Sequence, residues 1–291
     1  LYDLPIAVAI LKAYIPLEIE IDDAVFVGEL SLDGSLRPVA GILPIALHAR
    51  ASGRKKLFVP KENAEEAAYV SGLEVFAIPS LISLLDHLTN QQPVSATPKT
   101  KPENAAQDYP YDMQNIRGQH FAKRALEIAA DGGHNILFHG PPGSGKTLLA
   151  RTLPSILPPM TEAEILEVTK IHSIAGQITG GGLVTQRPFR TPHHSASAVS
   201  ITGGGGNPKP GEASLAHRGV LFLDEAPEFP RTVLEHLRQP LEDGHVTISR
   251  VRQTVHYPAS FMLVLSQNPC PCGFYGDPNK QCACTTNQVQ N

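Results

Sequence analysis

The chain has 291 residues, 42% of them apolar and 18% charged, and a formal charge of −4. That balance suits a globular protein with room for two domains, and no apolar run reaches membrane-spanning length. The negative charge makes no electrostatic case for nucleic acid, although a net value can hide a local basic channel. Leu1 is not an initiator Met, no signal peptide is visible, and 284–288 end without a closing element. The chain therefore reads as a fragment cut at both ends, expected in the cytoplasm.

In chain order, Ile6 to Ala13 reads as a helix. Val25 to Leu32 and Leu36 to Val39 read as strands joined at the turn pair Asp33-Gly34. Ile42 to Ala51 reads as a helix, Lys56 to Val59 as a strand, Ala64 to Val70 as a helix, Val75 to Ile78 as a strand and Leu81 to Leu88 as a closing helix. Residues 91–108 are polar, carry three prolines and have no apolar period, so they read as a linker. The expected domains are 1–90, the linker 91–108, and 109–291.

After the linker, Phe121 to Ala130 reads as a helix and Ile136-Leu137-Phe138 as a strand. Gly140-Pro141-Pro142-Gly143-Ser144-Gly145-Lys146-Thr147 follows, and Leu148 to Arg151 has helical composition. This is the strand–loop–helix setting of a phosphate-binding P-loop. Glycines let successive N–H groups turn inward toward phosphate oxygens, where bulkier residues obstruct them. Lys146 is placed to reach the β- and γ-phosphates and Thr147 to ligate Mg²⁺. The pattern assigns a nucleoside triphosphate with Mg²⁺.

Val220-Leu221-Phe222-Leu223 is a continuous apolar run of the buried parallel-sheet kind, and it ends in Asp224-Glu225. One carboxylate there supports the metal and the next activates water. A third apolar strand, Phe261 to Leu265, ends in Ser266-Gln267-Asn268. Asn268 is either a sensor of the γ-phosphate or a strand-end turn residue before Pro269.

The four cysteines, Cys270, Cys272, Cys282 and Cys284, lie within fifteen residues and none lies elsewhere, which argues for a local site rather than a secreted disulfide framework. Two Cys-x-Cys pairs can supply four thiolates to Zn²⁺, with free thiols or a redox pair as the alternatives. Val246 to Arg250 and Thr254 to Tyr257 read as a hairpin with Arg250 and Arg252 near its tip. These arginines either grip DNA phosphates or are solvated surface charges. Gly203 to Gly206 reads as a flexible inserted loop, either facing a ring channel, as its resemblance to the insertion of magnesium-chelatase and MCM-type AAA+ modules implies, or a plain surface loop. His193 and His194 contact DNA or a neighbouring subunit, or are polar loop residues.

Val27 to Gly34, Leu36 to Gly41 and Leu57 to Asn63 resemble the second half of the Lon-protease-like, ribosomal S5-type domain. The resemblance puts the catalytic Lys of true Lon proteases near Ile45 and the Ser near Tyr2 or Asp3. Neither residue type is present, and isoleucine cannot take a hydroxyl proton, so the unit is expected to be proteolytically inactive. Asp112 to Gln119 resembles the segment that opens many AAA+ modules and contacts adenine, the alternative being an ordinary helix lead-in.

Taken together, Gly140 to Thr147, Arg190 to Ser195, Gly211 to Gly219, Leu221 to Pro227 and Gln267 to Gly273 resemble the ComM/YifB family of magnesium-chelatase-like AAA+ ATPases. The resemblance implies an α/β fold: a P-loop AAA+ core with a parallel sheet and flanking helices, preceded by a partial α+β Lon-like domain. It further implies an ATP-driven motor on single-stranded or branched DNA. This would be a homo-hexameric branch-migration helicase in the integration of transforming DNA, with no membrane partner. Expected roles are Lys146, Glu225 and Asn268 in catalysis and Thr147 with Asp224 on Mg²⁺. On the family pattern the arginine finger and the lid lie beyond Asn291, so the isolated chain is expected to hydrolyse ATP poorly. The alternatives are a magnesium-chelatase ATPase subunit and a non-enzymatic Lon-like scaffold with a vestigial nucleotide site.

Overall fold

Short apolar runs punctuated by Gly and Pro fold as strands here, and the longer amphipathic stretches fold as helices. The computed structural model describes residues 2–99, 109–178, 182–206, 208–249, 254–276 and 280–290. The first elements are α1 (Asp3–Tyr14), β1 (Ala24–Phe26), β2 (Glu29–Leu30), β3 (Leu36–Arg37), α2 (Ile42–Ala51), β4 (Lys56–Pro60), α3 (Ala64–Ala67), β5 (Glu74–Ile78) and α4 (Leu81–Leu88). Then come α5 (His120–Gly132), β6 (Ile136–His139), α6 (Lys146–Thr152), α7 (Glu162–Ala175), β7 (Phe189–Arg190), α8 (Ala198–Thr202), β8 (Gly203–Gly204), β9 (Lys209–Pro210) and α9 (Glu212–Leu215). The rest are β10 (Val220–Leu223), α10 (Arg231–His236), α11 (Arg238–Asp243), β11 (His245–Ser249), β12 (Thr254–Pro258), β13 (Met262–Gln267) and α12 (Thr286–Gln290). No described helix is long and apolar enough to cross a membrane.

The chain divides into two units, one of residues 1–103 with 165–184 and one of residues 104–164 with 185–291. In the first, β1, β4 and β5 form a parallel sheet with β4 in the middle. Central β4 is buried from Leu57 to Pro60, as a strand covered on both faces requires. Phe26, Phe58 and Phe76 are register partners and stack at 4.8 Å between centroids on each side, so the sheet is held by an aromatic ladder as well as by its hydrogen bonds.

The run read as one strand over 25–32 is two strands in different sheets. β1 joins the three-stranded sheet, and β2 pairs with β3 across the turn at Asp33-Gly34. The break falls at Gly28, where an added Cβ would sit 3.2 Å from the Leu36 side chain and 3.4 Å from Leu4. Part of the segment read as linker lies along β5: Thr97 N–H donates to Val75 O at 2.7 Å, and Val94 packs among the apolar side chains beside Phe76. Residues 100–108 lie outside the described residues.

Residues 165–184 group with the first unit although they follow the P-loop. Leu166 packs on the core of Leu43, Leu57 and Val75, and Ser173 O accepts from Gly41 N–H at 2.9 Å. The first unit is therefore discontinuous in sequence.

In the second unit β6, β13, β10 and β7 form a four-stranded parallel sheet in that order. Val220 to Leu223 are wholly buried in β10. A core of Leu126, Leu149, Leu153, Phe222 and Val264 packs α5 and α6 against it. The expected hairpin is present as β11 paired antiparallel with β12. The glycine-rich insertion, read as a flexible loop, is anchored by β8 pairing with β9. A Cβ on Gly203 would lie 2.4 Å from Lys209 O, so this ladder needs glycine.

Candidate nucleotide-binding site

Parallel strands deliver their C-terminal ends to one edge of the sheet, where ligand sites of such folds form. The register Leu265↔Leu137 and Leu223↔Leu265 puts β13 between the strand that enters the glycine loop and the strand that ends in Asp224. Three polar strand ends thereby meet: Gly140 to Thr147 after β6, Asp224-Glu225 after β10, and Ser266 to Asn268 at the end of β13.

Gly143 and Gly145 have φ of 75° and 87°, values that favour glycine, and Gly145 caps the start of α6. Pro141 O accepts from the Ser144 hydroxyl at 2.9 Å, which closes the loop locally, while Pro142 meets the segment after β13. The Lys146 ammonium donates to Gly140 O at 2.8 Å, to Pro141 O at 3.0 Å and to Asn268 Oδ1 at 3.0 Å. Burial holds its pKa below the ordinary lysine range, with Asp224 and Glu225 acting in the opposite sense.

Thr147 Oγ1 donates to Asp224 Oδ2 at 2.8 Å, so the hydroxyl and carboxylate expected on the metal are adjacent. Hard oxygen donors in this pairing fit Mg²⁺. The other Asp224 oxygen, Oδ1, accepts from the Ser266 hydroxyl and from Glu225 N–H. Ser266 is 1% exposed and is the residue the sequence reading passed over. Its only signal in the sequence is a small hydroxyl at the penultimate position of an apolar strand. Glu225 is exposed, and its backbone is left-handed at φ 52°, held by N–H donation to Ser266 Oγ at 3.2 Å. A non-glycine residue there costs on the order of 1–2 kcal/mol, a strain characteristic of functional positions.

The Asp112 to Gln119 segment lies against this loop and its helix. Buried Met113 donates its backbone N–H to Ser155 Oγ at 3.0 Å, and Gln119 Nε2 donates to Ser144 O at 3.5 Å. Of the remaining candidates, His193 bonds locally to Ser195 Oγ at 2.8 Å, and its ring lies 4.0 Å from that of His194. Arg190 forms a two-pronged pair with Glu212, 2.6 and 2.9 Å. Arg250 and Arg252 lie outside the described residues.

All four cysteines converge. Their sulfurs lie within 4.8 Å of one another, and each is a free thiol. Hydrogen bonds from the backbone N–H groups of Phe274 and Ala283 draw the Cys272 pKa down to about 6.

Residues 112–291 match the family described as "Magnesium chelatase, subunit ChlI", and residues 1–63 match the subunit ChlI description of magnesium chelatase as well. The chain belongs to the magnesium chelatase subunit ChlI family. It is 45% identical over 278 residues to competence protein ComM of Haemophilus influenzae, covering 94% of this chain and 54% of that protein. It is 43% identical over 283 residues to protein YifB of Escherichia coli, covering 97% of this chain and 55% of that protein. The chain thus spans about half the length of these curated relatives. A weaker match, 32% over 83 residues, covers 28% of this chain and 15% of Lon protease 2 of Bacillus subtilis. Membership in this AAA+ ATPase family implies ATP and Mg²⁺ as cofactors.

Proposed function

We propose that this chain carries the nucleotide-binding core of an ATP-hydrolysing DNA motor, acting in the cytoplasm as a ring of identical copies on single-stranded or branched DNA. The observation that carries the ATPase part is the meeting, at one sheet edge, of Lys146 with Asn268 and of Thr147 with Asp224 through one hydrogen bond each. Lys146 leaves its loop carbonyls to bind β- and γ-phosphate oxygens. Thr147 and Asp224 are the residues that would hold Mg²⁺, and the ion would neutralise developing phosphate charge. Asn268, between Lys146 and the sheet edge, reads the γ-phosphate. Glu225, exposed beside Asp224, takes the proton of the attacking water. Zn²⁺ at the four cysteines completes the cofactor set.

The DNA part is supported by likeness to a competence protein and by the hairpin β11–β12, which carries Arg250 and Arg252 between its strands. The test is the ATPase rate of the intact protein with single-stranded, duplex and four-way-junction DNA. Stimulation by DNA is expected, together with loss of about 10²–10⁴ in rate for Glu225→Gln at undiminished nucleotide binding. A rate indifferent to every DNA overturns the motor reading.

The family description favours a second reading, an ATPase subunit of a chelatase. Stimulation by a chelatase partner and not by DNA selects it. A scaffold with a vestigial site predicts instead that Glu225→Gln changes nothing.

A further inference from the structure

The cysteine cluster touches the proposed nucleotide site. Cys270 follows Asn268-Pro269 directly, and a turn in which Gly273 N–H donates to Cys270 O at 2.8 Å returns the chain toward the glycine loop. Gly273 has φ +84°, and a Cβ there would lie 2.4 Å from Pro142 Cδ and 2.6 Å from Pro142 Cγ. The two loops are in contact at a point only glycine permits. Beside the contact, a cleft of about 310 Å³ has Gly140 and Pro141 on one wall and Pro269, Gly273 and Tyr275 on the other.

The cluster has the dimensions of a single-ion site. A tetrahedral Zn²⁺ with thiolates at about 2.3 Å sets sulfur atoms about 3.8 Å apart. Cys270 and Cys272 lie 3.3 Å apart, Cys270 and Cys282 3.7 Å, and Cys272 and Cys282 3.6 Å. A disulfide accounts for two sulfurs and leaves the convergence of the other two without a cause. An iron–sulfur cluster, with metal and sulfide between its ligands, needs them further apart. Backbone N–H groups also face sulfur, as thiolate ligands require: Cys272 N–H donates to Cys284 Sγ at 3.4 Å and Cys284 N–H to Cys282 Sγ at 3.4 Å.

We infer that Cys270, Cys272, Cys282 and Cys284 bind one Zn²⁺, and that the ion fixes the Asn268–Gly273 segment against the glycine loop, so that nucleotide affinity depends on zinc. Without the ion the segment after β13 has four unlinked thiols to hold its shape. Asn268, two residues before Cys270, then loses its fixed place beside Lys146. The zinc half stands on the cysteines alone, and the affinity half rests on the ATP reading above.

The test starts from intact protein purified without chelator from zinc-supplemented cells. Elemental analysis for zinc and iron is followed by calorimetry with a non-hydrolysable ATP analogue. About one zinc per chain is expected in wild type, and Cys282→Ser/Cys284→Ser should lose it and bind the analogue about 10–100-fold more weakly. Less than half an equivalent of zinc in wild type, or iron in its place, overturns the site. Zinc at full occupancy in wild type, with unaltered analogue affinity in a double variant that has lost the ion, overturns the latch. Wild type that holds zinc yet gives no heat with the analogue refutes the ATP reading and the latch, and leaves the metal site standing. If the double variant does not fold, Gly273→Ala keeps all four ligands. It should retain zinc and lose affinity, and unchanged affinity there also overturns the latch.

Discussion

At Asp224 the sequence identifies the carboxylate but not what aims it. Thr147 holds one oxygen and Ser266 the other, so the group is oriented before any ion arrives. Ser266→Ala removes a buried donor and lets that oxygen turn away. The Mg²⁺ concentration for half-maximal ATPase should rise about 10–100-fold with little change in stability. An unchanged Mg²⁺ requirement would make the serine a packing residue. Lys146 shows the same economy, since its three acceptors preset the ammonium near the loop. Lys146→Ala should weaken analogue binding by about 10–100-fold, the range for a charge-assisted hydrogen bond of ~1.5–3 kcal/mol, and calorimetry reads it directly. Glycine and lysine in the loop were legible because their spacing is local. Ser266 was not, because its role depends on which strand lies next to β13.

At the scale of elements, the first unit holds a buried carboxylate against α2. Glu66 is 3% exposed and accepts from Leu43 N–H at 3.1 Å. Burial raises its pKa, and the nearby Ser173 hydroxyl and the Leu43 N–H pull it only partly back. A carboxyl whose folded pKa exceeds its unfolded value of 4.5 binds more protons folded than unfolded. Its contribution to stability is complete below pH 4.5 and is lost as pH rises through the folded pKa. Glu66→Gln should therefore raise the melting temperature relative to wild type at pH 8 and lose that advantage near pH 4. Melting curves at both pH values check it, and a pH-independent difference would contradict it. The helices α2 and α4 are where the apolar period placed them, Ile42–Ala51 and Leu81–Leu88. The strand over 25–32 was not, because apolar alternation runs through Gly28 while the backbone changes sheets there.

For the molecule as a whole, Gly140 to Thr147, Asp224 and Asn268 share one unit, while the first unit, expected from the sequence to be Lon-like, has no nucleophile and base at the positions that likeness assigns. Ile45 packs on the apolar core, Tyr2 is 77% exposed, and the Asp3 carboxylate accepts from Leu30 N–H. The intact protein with ATP and Mg²⁺ should leave a casein-like substrate uncleaved in an overnight digest, and ATP-dependent peptide release would refute that.

What the sequence determined by itself was chemistry carried by contiguous residues: the phosphate loop, the acids that end an apolar strand, the paired cysteines, and the likeness to magnesium-chelatase-like ATPases. Each is written in a spacing of a few residues, within which backbone geometry is set by the residues themselves. The tertiary structure alone decided the strand order β6-β13-β10-β7, the place of Ser266 beside Asp224, the contact of Gly273 with Pro142, and the return of α7 to the first unit. Those follow from burial and register between residues tens of positions apart, where many pairings satisfy the same local pattern and only the packed whole selects one.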